Sequence, residues 1–184
     1  MHRRLILLAL LGAPVRRATA DAPRPRHKVS AATLHQALSR RFPVRLGVPG
    51  FMQVEVSAPR LHLLPARNLL GAGLQAQALG AGAQAIPPGE LDVAFALRYE
   101  RSDRTLRAHR MDILDIHWPG IPPEAIGPLR GVLAGMAREA VGEIVLHAFE
   151  PRELALADTM GFEPDRLTVL GDGLQVDFAP KPTR

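Results

Sequence analysis

The stretch PEAIGPLRGVLAGMAREAVGEIVLHAF, residues 123–149, decides how the rest of the chain is arranged. Pro123 suits a first helical position, and Pro151 marks a stop. At 100° per residue, Ile126, Leu129, Leu133, Met136, Ala137, Ala140, Val141, Ile144 and Ala148 share an arc of about 140°. Val132, Val145 and Leu146 lie outside that arc, and Gly127, Gly131, Gly135 and Gly142 gather on the opposite side. From Ile126 onward only Arg130, Arg138, Glu139, Glu143 and His147 are charged or titratable. A helix that is apolar nearly all round needs cover on more than one side. The internal charges exclude a membrane-spanning small-residue stripe. The reading predicts one long helix, from Pro123 to about Phe149, enclosed by strands.

The segments around it supply those strands. Leu91, Val93, Phe95, Leu97 and Tyr99 line one face of a strand, with Glu90, Asp92, Arg98 and Glu100 marking the other, and a turn at residues 101–104 returns the chain through Thr105 to Trp118. The alternation slips between Ala108 and Met111, which predicts a bulge. Upstream, Met52, Val54 and Val56 alternate with polar residues. Pro59 predicts a bend, and small or apolar residues fill the even positions from Leu70 to Ala78. Gly171-Asp172-Gly173 predicts a hairpin between residues 166–170 and 174–178. A shorter N-terminal helix from Val29 to Phe42 has Ser30 as its cap and Ala31, Leu34, Leu38 and Phe42 on one face. Strands joined by turns, with segregated helices, define an α+β class. The expected architecture is a curved antiparallel β-sheet wrapped around the long helix in a single domain, residues 29–180.

The N-terminus reads as an address. His2-Arg3-Arg4, the apolar run LILLALLGA (residues 5–13) and Ala18-Thr19-Ala20 have the anatomy of a signal peptide, residues 1–20, cleaved after Ala20. Residues 21–28 read as a Pro/Arg-rich linker. Much of the formal charge of +5 belongs to the signal. Without Arg3, Arg4, Arg16 and Arg17 the chain has nineteen basic and eighteen acidic residues. With no basic face and few aromatic platforms, nucleic-acid binding is not expected. The chain has no cysteine, so it has no disulfide, no thiolate chemistry and no lipoprotein acylation site. The expected location is the periplasm, with membrane association at most peripheral.

Catalytic and metal motifs are not apparent. The chain has no G-x-S-x-G and no H-E-x-x-H. Alternation places Asp115 and His117 on one strand face and Asp112 on the other, so no three ligands converge locally. Gly71-Ala-Gly73 and Gly80-Ala-Gly82 match neither phosphate-binding pattern and read as small residues easing a bend. Glu90 and Asp92 read as solvent-facing charges. No enzyme activity, metal or cofactor is predicted.

The first helix ending at Phe42-Pro43, the strand PRLHLL (residues 59–64), GELDVAFALRY (residues 89–99) and GLQVDF (residues 173–178) together resemble the YceB-like family of bacterial envelope lipoproteins, a domain of unknown function. The resemblance covers about residues 29–178. It implies a fold similar to tubular lipid-binding domains, in which a curved sheet wraps a helix. It also implies a role with a lipid or other apolar ligand. The expected lining of such a site is Leu91, Val93, Phe95, Leu97 and Tyr99 from the sheet and Leu129, Leu133 and Met136 from the helix. The competing expectation is a filled core in a ligand-free scaffold, or an assembly protein that meets an envelope partner.

Overall fold

A computed structural model describes residues 24–48, 52–80 and 86–182. The segment read as a signal peptide, residues 1–20, lies outside the described residues. The elements run β1 (Arg26–Ser30), α1 (Ala31–Ser39), β2 (Val44–Val48), β3 (Met52–Leu64), a 3-10 turn (Pro65–Arg67), β4 (Leu69–Leu79), β5 (Gly89–Glu100) and β6 (Thr105–His117). They continue through α2 (Pro123–Val141), β7 (Ile144–Ala148), α3 (Pro151–Thr159), β8 (Phe162–Leu170) and β9 (Gly173–Pro180). The class is α+β. A six-stranded antiparallel sheet, β2-β3-β4-β5-β6-β7, curls into a half-barrel, and a smaller sheet has the order β1-β9-β8.

Several local rules act as the sequence predicts. Ser30 caps α1, its hydroxyl accepting the Thr33 N–H at 3.2 Å. The Pro59 bend appears as a register shift between Ser57 and Arg60. The slip in β6 is a bulge at Arg110, whose φ is +48°. A second irregularity falls at Leu114, where Asp92 pairs with Asp115 but Val93 pairs with Ile113. The final hairpin closes with Leu170 opposite Gly173.

The decisive segment differs from expectation. It is not one helix to Phe149. Gly142, at φ +58°, ends α2, and the chain leaves as a strand paired with β6. In β7 the side chains alternate: Ile144 and Leu146 are buried and Val145 is exposed. Two periods lie end to end, 3.6 through Val141 and 2 after Ile144, which is why Val145 and Leu146 do not fit the wheel. Within α2 only Leu133, Ala137 and Val141 are buried, and Val132 is 50% exposed. The helix is amphipathic and partly open to water.

Two helices occupy the curl. The first, α1, packs on β3 and β7, and α2 packs on β2 and β6. Each helix therefore touches strands near both ends of the sheet. Leu34 and Leu38 of α1 are fully buried; burying each contributes roughly 1.5–3 kcal/mol of gross apolar transfer energy. Strand β2 was not expected, although Val44 and Leu46 alternate with Arg45 and Gly47. Part of the expected linker is also a strand: Arg26, His27 and Lys28 belong to β1 and pair with Asp177, Val176 and Gln175 of β9.

Candidate functional site

The concave face of the large sheet, under α2, forms an apolar chamber. Its wall comes from Phe42, Val44, Leu46, Val56, Leu74, Leu91, Val93, Met111 and Ile113, with Leu133, Ala137 and Val141 of α2 as its roof. These side chains meet because alternate residues of β2 to β6 point inward. The free volume is about 10 Å³. That is room for about one water, against roughly 300–1,000 Å³ in a typical ligand pocket. In this conformation the chamber is filled.

The structure brings three of the eight expected lining residues into it: Leu91, Val93 and Leu133. Phe95 is buried, with Leu70 opposite it on β4. Leu97 and Tyr99 are half-buried further along β5, and Tyr99 meets Phe149 edge-on, with centroids 5.8 Å apart. Burial raises the pKa of the Tyr99 phenol. Leu129 and Met136 are half-buried against the core without reaching the chamber. The contribution of β2 was missed because that strand was not recognised.

The attachments of α2 are specific. Trp118, just before the helix, lies on Gly89, where an added methyl would come within 2.5 Å of the indole. Its Nε1–H donates to the Pro87 carbonyl at 2.9 Å. At the other end the Arg41 guanidinium donates to the carbonyls of Ala140 and Val141, at 3.1 and 3.2 Å. A cation at a helix C-terminus also complements the helix dipole. Gly120 at φ +83° and Gly142 at φ +58° bracket the helix. Pro128 removes one internal hydrogen bond, and among the described residues no side chain caps the start.

A second concavity carries charged side chains. Arg60, His62, Glu90, Asp92, Asp115 and His117 line an open groove of about 350 Å³ on the sheet. His62 Nε2 lies 3.2 Å from Asp92 Oδ1, and Arg60 lies 3.6 Å from Glu90. The His62 ring lies over Gly71, in the space a Cβ would take. Glu90 and Asp92 therefore belong to cross-strand pairs. Among the described residues lining the groove there is no hydroxyl nucleophile, so the His–Asp contact does not complete a hydrolytic constellation.

A third cluster was invisible in the sequence. His27 of β1, His147 of β7 and Glu153 of α3 converge, their ligand atoms all within 4.8 Å of one another. The Glu153 Oε2 accepts the Glu150 N–H at 2.7 Å as part of a capping box. Burial opposes ionisation of Glu153, but the Glu150 amide, His147 and His27 outweigh it and hold the carboxyl below its usual range.

No protein-family model matches the chain, and no curated protein matches it. Among the described residues, no helix is long and apolar enough to cross a membrane.

Proposed function

We propose that this is an exported, non-enzymatic binding protein that takes a lipid acyl chain or similar apolar ligand on the concave face of its large sheet, with α2 as a cover that lifts to admit it. The seating of α2 carries the reading. The helix touches β2 and β6 across an entirely apolar floor. It has three buried side chains and glycines at positive φ on either side of it. The tight chamber is then the closed, unloaded form. The signal-peptide pattern and the YceB-like resemblance read from the sequence support a periplasmic, cell-envelope role, with membrane contact that is at most peripheral.

A ligand-free scaffold is the second reading, and the filled chamber favours it. An envelope protein would then cover an exposed apolar pair such as Leu156 of α3 and Met160 at its C-terminal cap, four residues apart.

Native mass spectrometry of protein recovered from its own envelope, with uptake of a fluorescent fatty acid, separates the two. One acyl ligand per chain, taken up faster by Arg41→Ala than by the unmodified protein, supports the cover. No ligand and no uptake by either protein, with α2 amides as protected from exchange as those of α1, overturns it and leaves the scaffold.

A further inference from the structure

Independently of the chamber, we propose that His27, His147 and Glu153 form a binding site for a zinc-class divalent metal ion, with two imidazole Nε2 atoms and one carboxylate oxygen as ligands. The distances carry the case. Nε2 of His27 lies 3.4 Å from Glu153 Oε1, and Nε2 of His147 lies 3.3 Å from the same oxygen. Bonds of about 2.0–2.1 Å in a tetrahedral shell place neighbouring ligand atoms about 3.3–3.4 Å apart, so two edges of the shell are already set.

A second observation concerns His147. Its Nε2 is buried and, despite its closeness to Glu153, makes no well-formed hydrogen bond among the described residues. The Glu153 carboxylate, 3.3 Å away, is the polar group it meets. A cation between the imidazoles and the carboxylate would satisfy that nitrogen. The surroundings hold the ligands in place. The imidazole rings of His27 and His147 stack with centroids 5.9 Å apart, and both meet Phe149 edge-on, at 5.3 and 4.7 Å. Glu153 is oriented through its other oxygen by the Glu150 amide, the kind of support that ligating carboxylates have.

The donor set selects the ion. Two nitrogens and one oxygen suit zinc and its transition-metal neighbours, whereas magnesium and calcium prefer oxygen alone. Three protein ligands leave a fourth position open, as in zinc sites that bind water or substrate. An open groove of about 520 Å³ between α1 and β7 has His147 in its lining. The three ligands come from β1, β7 and α3, so binding would also fasten the small sheet, the edge of the large sheet and α3 together.

The test titrates the full-length, tag-free protein with zinc chloride against a chromophoric chelator, and repeats the titration with cobalt(II) for its visible spectrum. One equivalent of zinc should bind, and cobalt should give the intense bands of a four-coordinate site. His27→Gln, His147→Gln and Glu153→Gln should each weaken zinc by at least about tenfold, while His35→Gln and His62→Gln leave it unchanged. Glu153→Gln keeps an oxygen for the Glu150 amide, so it decides the matter if a histidine variant fails to fold. No stoichiometric binding overturns the proposal. So does binding that the three substitutions leave intact, or that the control substitutions weaken equally.

Discussion

The two helices in the curl of the large sheet are built differently. In α1 a serine caps the start, Leu34 and Leu38 are fully buried, and β1 and β2 flank the helix closely on either side. In α2 no side chain among the described residues caps the start, Pro128 interrupts the hydrogen bonding, and three residues are buried over nineteen. Glycines at positive φ stand on either side of it. On the proposed reading, one sheet holds a fixed core element and a detachable one side by side. What separates them is capping and the density of buried side chains, two in nine residues against three in nineteen.

Core truncation should expose that difference most strongly. Leu34→Ala should cost about 3–5 kcal/mol in urea denaturation, because the cavity beneath a fixed helix cannot collapse. Leu133→Ala removes the same atoms from α2. It should cost about 1–3 kcal/mol, less than the usual core value, because the helix can shift to fill the gap. Equal losses would mean that α2 is as integral as α1.

Next comes the N-terminal root of α2. Gly89→Ala forces the Trp118 indole off the strand and should destabilise the protein by about 1–3 kcal/mol, the usual range for overpacking. Trp118 is the chain's one tryptophan, so a red-shifted emission reports its exposure directly. An unchanged spectrum would show that the indole does not anchor the helix.

A smaller effect is expected at the opposite end. Arg41→Ala deletes two hydrogen bonds to the last turn of α2. Hydrogen exchange should become severalfold faster in α2 while α1 and β5 keep their protection, with little change in Tm. Uniform acceleration would identify Arg41 as a general stabiliser.

The smallest effect is acid dependence. Glu143, next to Gly142, is held by Arg107 and Arg98, at 3.0 and 2.8 Å. The Arg107 hydrogen bond, then that of Arg98, lowers its pKa from the ordinary 4.5. Its contribution is therefore complete above about 4.5 and is lost as the pH falls through the lower folded value. Glu143→Gln should flatten a modest part of the fall in Tm on acidification, because the site is exposed and screened. Parallel Tm–pH curves for the two proteins would remove Glu143 from the account.

Much of the fold was legible because it rests on local rules. The Ser30 cap, the alternation along β5, the Pro59 bend and the final hairpin each depend on a few neighbouring residues. Of the chamber, Leu91, Val93 and Leu133 were legible from facing periodicities. Val44 and Leu46 were not, because β2 is a short strand behind a proline, and Phe42, read as the end of the first helix's apolar face, lies past the end of α1. The switch from helix to strand at Gly142 was hidden because both periods place apolar residues often enough to pass for one another over a few residues.

Composition and periodicity settled the α+β class, the main strands of the curled sheet and the apolar character of its concave face, because burial alternates with backbone geometry wherever a strand or helix is half covered. Only the assembled fold decided that α2 is partly open to water and that His62 rests on Gly71. It alone also brought His27, His147 and Glu153 together. Those relations join residues far apart in the chain, and their positions depend on how the sheets curl and pack, which no local pattern encodes.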